Sequence, residues 1–179
     1  MKEKKEAPTV HHFTAAMNAC ERATEWNIAL KFLQWMAPDA VAIGSAMATC
    51  ARAAKWQHSL ELLESHSSLV DSFGWAAVIR ACASATRWRR AFELLFLAGN
   101  PNVMAYTAAV MAAGRAASWH LALQVLAEAQ LPTTVSGEGH QLDVALYNAV
   151  LGACVQSLDK GQGWSIWVAA LQVFEEMQS

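Results

Sequence analysis

The sequence predicts an all-α protein built as an α-solenoid of about five helix-turn-helix repeats, and three observations carry this prediction. Of its 179 residues, 55% are hydrophobic and about a fifth are Ala, the best helix former. Four Trp residues recur 30, 32 and 31 residues apart: Trp26, Trp56, Trp88 and Trp119. Three Cys residues keep the same period, and a fourth takes the same place in the last repeat: Cys20, Cys50, Cys82 and Cys154. A fixed period of this length indicates stacked units, because one helix pair cannot bury its apolar face alone.

Each repeat is predicted to open with a first helix that begins near an aromatic residue or Ile. Apolar residues then follow at i+3, i+4 and i+7, which places them on one helical face. In the first repeat this stripe runs from Phe13 through Ala16 and Met17 to Cys20. The later repeats start the same stripe at Ile43, Trp75, Tyr106 and Tyr147.

A second helix is predicted to begin at the periodic Trp of each repeat. Three and four positions later come a small residue and a large apolar one: Ala29-Leu30, Ser59-Leu60, Ala91-Phe92, Ala122-Leu123 and, after Trp167, Ala170-Leu171. The small residue lets the paired helices approach closely, and each Trp can bury about 150–250 Å².

The repeat boundaries fall where the helical pattern lapses. Short turns are predicted at Ala37-Pro38-Asp39, from Ser65 to Asp71 and from Gly99 to Asn102, with longer insertions from Pro132 to Asp143 and from Leu158 to Trp164. We therefore expect a disordered segment over residues 1–9 and one array over 10–179. Its repeats are predicted at about 10–39, 40–71, 72–102, 103–143 and 144–179.

Several classes of protein are disfavoured by what the sequence lacks. It has no run of 18 apolar residues, so no membrane span is expected, and Met1 to Pro8 resembles neither a secretory signal nor a transit peptide. No Cys-x-x-Cys motif occurs, and the six His residues form no ligand spacing with Cys, so neither a metal nor a cofactor is expected. No nucleophile, base and orienter are suggested by spacing, which argues against an enzyme and a small-molecule substrate.

The cysteines are predicted to be buried, reduced thiols. Equivalent residues of stacked helix pairs should lie about 10 Å apart, whereas disulfide partners need Cα atoms within about 7 Å. Buried free thiols of this kind are typical of a reducing compartment.

A recurrent Arg marks the opposite face of the first helices. One Arg occurs there in each of the first four repeats, and no acid shares the stripe: Arg22, Arg52, Arg80 and Arg115. Stacking would align them as a ladder, and local charge rather than the net charge of −2 would govern an anionic partner. The alternative is an ordinary solvated face. A second basic cluster, Arg87, Arg89 and Arg90, flanks Trp88 and is either an exposed turn or an accessory anion contact.

From about Val10 to Met177 the sequence resembles the pentatricopeptide repeat family. The resemblance rests on the aromatic start of helix one, the small-Leu step of helix two and the closing pairs Pro38-Asp39 and Pro101-Asn102. Tyr147-Asn148 and the ending Phe174-Glu175-Glu176-Met177 are also typical. The tetratricopeptide family is the alternative resemblance. Its Trp lies early in the first helix, whereas the periodic Trp residues here are predicted to open the second helix. The resemblance implies a right-handed superhelix that binds single-stranded RNA, about one base per repeat, in RNA processing or stability in a plastid or mitochondrion.

The resemblance also implies roles for individual residues. The residue after the aromatic and the last residue of the repeat would read a base: Thr14 with Asp39, Gly44 with Asp71, Ala76 with Asn102, Thr107 with Asp143, and Asn148 alone. Thr with Asp is similar to the guanine-reading combination of the family, whereas Gly44 and Ala76 offer no hydrogen-bonding side chain. Apolar residues would lie between bases: Val41, Phe73 and Met104. Arg22, Arg52 and Arg115 would contact phosphates, with Arg80 one turn earlier.

The alternative hypothesis is a protein-binding helical-repeat scaffold of tetratricopeptide-like type. Helical solenoids offer concave surfaces to helices or peptides, and exposed Trp35, Trp75 or Trp164 would be the anchors of such an interface.

Overall fold

The computed structural model describes residues 10–35, 39–130, 144–157, 166, 168 and 170–173, and within these ranges every regular element is an α-helix. Nine helices have defined bounds: α1 (Val10–Ala23), α2 (Trp26–Trp35), α3 (Ala40–Arg52), α4 (Trp56–Ser65), α5 (Ser72–Ser84), α6 (Trp88–Leu97), α7 (Val103–Arg115), α8 (Trp119–Gln130) and α9 (Val144–Ser157). The all-α prediction is therefore confirmed. The predicted disordered segment and both insertions lie outside the described residues.

The helices alternate between two kinds of packing. Each odd-numbered helix contacts the next odd-numbered helix, from α1 through α3, α5 and α7 to α9. Each even-numbered helix packs against the odd helices immediately before and after it. The described chain is thus a repeat-like succession of helix pairs, with α3, α5 and α7 enclosed by neighbours.

Small residues make this close packing possible. In α7, the buried positions include five Ala residues and Gly114, so the helix presents little side-chain bulk to its neighbours. A Cβ atom at Gly114 would lie 3.3 Å from both Cα and Cβ of Ala153 in α9. The glycine therefore sets how near α9 can approach α7.

Every second helix with defined bounds begins at its periodic Trp, as the sequence predicts. The turn before it has a fixed geometry, since four non-glycine residues adopt positive φ angles of 50–59°: Thr24, Ala54, Thr86 and Ala117. The N–H of the residue that follows each of them donates to a carbonyl five residues earlier, at 2.8–3.0 Å. Those carbonyls belong to Cys20, Cys50, Cys82 and Ala113. The periodic Cys residues, and Ala113 in the fourth repeat, therefore mark the positions where each first helix ends in a Schellman-type turn.

Replacing Ala117 by Gly is expected to raise the free energy of unfolding by about 0.5–1 kcal/mol. The left-handed conformation costs an L-residue about 1–2 kcal/mol, part of which is offset by the greater backbone entropy that Gly loses on folding. Ala116→Gly is the matched control, because Ala116 has φ of −77° and gains no relief. Urea unfolding should show opposite signs for the two variants, and equal destabilisation by both would contradict the strain argument.

The thiols match their predicted environment, since all four Cys residues are buried and free. Burial raises the pKa of Cys50 and of Cys82 to about 11. Both groups therefore stay protonated at neutral pH and are poor nucleophiles. None of the described helices is long and apolar enough to cross a membrane.

Candidate nucleic-acid interface

Three large apolar side chains lie in solvent at equivalent places of successive first helices. Val41, Phe73 and Met104 are each the second residue of their helix, and between half and two thirds of each residue's surface is exposed. Since α3, α5 and α7 pack in succession, these side chains mark one end of the same helical layer. The family resemblance would place the same three residues between bases.

Beside this row lies a cavity of about 210 Å³. Its walls come from α1, α3, α5 and α7: Glu21, Gly44, Ala48, Phe73, Ala76, Ala77, Arg80 and Met104. The family resemblance implies RNA contacts for five of these eight residues, in three different roles. The space exists because Gly44 and Ala76 are small, and a Cβ atom at Gly44 would meet nothing within 4 Å.

Arg80 supplies the positive charge of this cavity. Its Nε is buried and has no hydrogen-bond partner in the described part of the chain, and a buried donor left unpaired costs about 1–3 kcal/mol. Glu21 also lines the cavity, so the wall carries both signs of charge. An acceptor placed beside Arg80 would remove the cost of the unpaired donor.

The remaining arginines of the stripe serve different purposes. Arg115 donates from Nη1 to the carbonyls of Ala83 and Ser84, at 3.0 and 2.9 Å, and so joins the end of α7 to the end of α5. Arg52 lies 3.8 Å from Glu21 across the α1–α3 boundary, and both side chains are partly exposed. Such a pair contributes little to stability. Arg22 is exposed near the end of α1.

The residues predicted to close each repeat are helix caps. Oδ1 of Asp39, Asp71 and Asn102 accepts the N–H three residues later, at 2.7–2.9 Å, at the start of α3, α5 and α7. Nδ2 of Asn102 also donates to the carbonyl of Ser72, at 3.2 Å. Capping accounts for Asp or Asn at these positions without any ligand. In each Asp, Oδ2 takes no part in the cap.

The structure describes the other predicted base-reading residues only in part. The hydroxyl of Thr107 donates to the carbonyl of Val103, at 2.8 Å, and Asn148 is exposed on α9. Thr14 belongs to α1, but its side chain is outside the described part, as is all of Asp143. Trp35 is exposed and Trp75 is half-buried, whereas Trp164 lies outside the described residues.

The fold and this layer define the chain as an all-helical protein of repeat-like architecture with a small mixed-polarity cavity between helix pairs. No known protein-family model matches its sequence, and no curated protein matches it either. Among the residues that the structure describes, no group of three or more His, Cys, Asp or Glu side chains is arranged to hold a metal ion.

Proposed function

We propose that the chain binds single-stranded RNA along the layer formed by α1, α3, α5, α7 and α9, and that its helix pairs stack as a right-handed solenoid of pentatricopeptide type. The cavity beside Phe73 carries this proposal. Residues given three separate roles by the sequence resemblance, namely base reading, base packing and phosphate contact, line that one cavity: Gly44, Ala76, Phe73, Met104 and Arg80. The succession of odd-helix contacts supports the stacked arrangement.

In this proposal the exposed apolar row packs against bases. Stacking tolerates any base, because every base has a π-face, and Phe73 is the aromatic member of the row. The cavity is smaller than the roughly 300–1,000 Å³ of drug-sized sites, which suits a single planar group better than a large ligand. Arg80 and the exposed Arg22 would contact phosphates, while the array would position about five nucleotides.

Charge makes the expected affinity modest and dependent on salt. Each phosphate that the protein neutralises should contribute about −0.7 to the slope of log K against log salt concentration. Arg115 is already bonded to two carbonyls, and Asp39 and Asp71 bring negative charge to the same layer. We propose binding and positioning of RNA as the role, and the family resemblance adds organellar RNA processing or stability without catalysis.

Phe73→Ala is expected to weaken binding of a fluorescently labelled random RNA about fivefold, because loss of one stacking contact costs about 1 kcal/mol. Fluorescence anisotropy at several salt concentrations measures the affinity. The matched control is Phe96→Ala on α6, since Phe96 is 57% exposed and Phe73 is 64% exposed.

The two variants should differ in RNA binding but not in stability. An equal loss of RNA affinity in both variants would locate binding away from the proposed layer. No detectable RNA binding by the unmodified chain at low salt would reject the proposal itself.

A protein-binding scaffold is the second candidate, and exposed apolar residues of the even helices favour it. Trp35 ends α2, while Phe96 and Leu97 end α6, and all three are exposed. Phe96 also lines a cavity of about 310 Å³ between α6 and α8. Co-purification of a stoichiometric protein partner that is lost in Phe96→Ala, with no RNA carried over, would favour this function.

A further inference from the structure

A third cavity, of about 550 Å³, lies between the starts of α4 and α6, and none of Val41, Phe73 and Met104 lines it. Its apolar wall is formed by Trp56, Leu60 and Trp88. Its polar wall is formed by the basic cluster Arg87, Arg89 and Arg90, which flanks Trp88. Thr86 and Glu93 complete this wall. The volume falls within the roughly 300–1,000 Å³ typical of small-molecule sites, which combine an apolar lining with a few polar groups.

Two of the three arginines lie over Trp rings, while their guanidinium N–H groups have no partner in the described part of the chain. The guanidinium carbon of Arg87 lies 5.3 Å from the ring centroid of Trp56, and that of Arg89 lies 5.1 Å from the ring centroid of Trp88. Neither side chain has a hydrogen bond or an ion pair within the described part of the chain. Arg90, by contrast, donates to Glu93 at 2.8 Å. The cavity therefore carries two exposed guanidinium groups that have no ion-pair partner in the described part of the chain.

The start of α6 adds to the positive potential of this cavity. The amino end of a helix carries partial positive charge and unpaired N–H groups. The N-cap residue Arg87 makes no side-chain cap bond, and the first turn of α6 contains no acid. The starts of α3, α5 and α7 are instead capped by Asp or Asn, whereas α4, like α6, has neither a side-chain cap nor an acid in its first turn. A bound anion would provide the acceptors that α6 lacks.

We propose that this cavity binds a nucleoside 5′-phosphate. The base would lie against the apolar wall of Trp56 and Leu60, and the phosphate would accept hydrogen bonds from Arg87 and Arg89, since guanidinium groups match phosphate oxygens well. The ligand can be a free nucleotide or the 5′-terminal nucleotide of an RNA strand, because both present the same chemistry. The site does not depend on the proposed RNA-binding layer, which belongs to other helices.

Isothermal titration of the purified chain with AMP, adenosine and inorganic phosphate tests the site. AMP should bind at least roughly tenfold more tightly than adenosine or phosphate, because only AMP fills both walls. The double variant Arg87→Gln/Arg89→Gln should lose at least roughly tenfold in AMP affinity. Lys55→Gln is the control, since Lys55 lies 5.3 Å above the Trp26 ring in the preceding repeat but does not line this cavity.

Thermal melting of each variant verifies that it is folded. Absence of AMP binding to the unmodified chain, or equal AMP affinity in the double variant, would overturn the assignment.

A second experiment distinguishes a free nucleotide from an RNA end. It compares two RNAs of the same sequence, one with a 5′-phosphate and one with a 5′-hydroxyl. A preference for the phosphorylated RNA that is lost in the double variant assigns the site to an RNA end. Equal binding of the two RNAs, together with AMP binding, assigns it to a free nucleotide.

Discussion

Ile79→Ala is expected to lower the free energy of unfolding by about 3–4 kcal/mol. Ile79 has no exposed surface, and it lies in the middle of α5, which contacts α3, α4, α6 and α7. Removing buried methyl and methylene groups loses their transfer free energy and leaves a cavity that the surroundings fill only in part, so such changes cost about 2–5 kcal/mol. The enclosed position of α5 leaves its neighbours little room to close the gap.

Urea denaturation measures this effect, with Val41→Ala as the matched control. Val41 is also a β-branched residue of a first helix, but it is 61% exposed. Its replacement should change stability by less than about 0.5 kcal/mol. A loss below about 1 kcal/mol for Ile79→Ala would contradict a shared core, because it would mean that α5 is not enclosed by its neighbours.

Much of the helical architecture follows from the sequence alone, because its causes are local. The periodic Trp residues mark where α2, α4, α6 and α8 begin. The i, i+3, i+4, i+7 stripe identifies buried residues such as Met17, Ile43 and Ile79. These features depend on helical periodicity within one repeat, which can be read without knowing how repeats stack.

Contacts between repeats were not predictable, because they depend on the offset between neighbouring helices. Spacing groups Arg115 with Arg52 and Arg22, yet Arg115 reaches the carbonyls that end α5. Arg80, one turn out of register, is the arginine of this stripe that lines the cavity. The capping role of Asp39 and Asp71 is predictable from the sequence, since Asp directly before a helix is a known cap.

Gly44→Thr is expected to give the chain a new preference for guanine at one position of a bound RNA, by about tenfold. In the family resemblance, Thr with Asp is the guanine-reading combination, and the variant would combine Thr at position 44 with Asp71, as the sequence combines Thr107 with Asp143. The substitution should fit, because a Cβ atom at Gly44 meets no other atom within 4 Å. Two hydrogen bonds to one base edge contribute about 1–3 kcal/mol of discrimination.

Selection from a random single-stranded RNA pool, before and after the substitution, measures the preference. Gly152→Thr on α9 is the control, because a Cβ atom there also meets nothing within 4 Å while Gly152 has no predicted reading role. Oδ2 of Asp71 decides the outcome, since Oδ1 accepts the N–H of Gly74 and Oδ2 has no hydrogen bond in the described part of the chain. Guanine offers two adjacent donors on its pairing edge, whereas each other base offers one, so Oδ2 and the introduced Thr hydroxyl must both accept a hydrogen bond to distinguish it. Unchanged base preference in Gly44→Thr with RNA affinity retained would mean that Asp71 serves only as a cap.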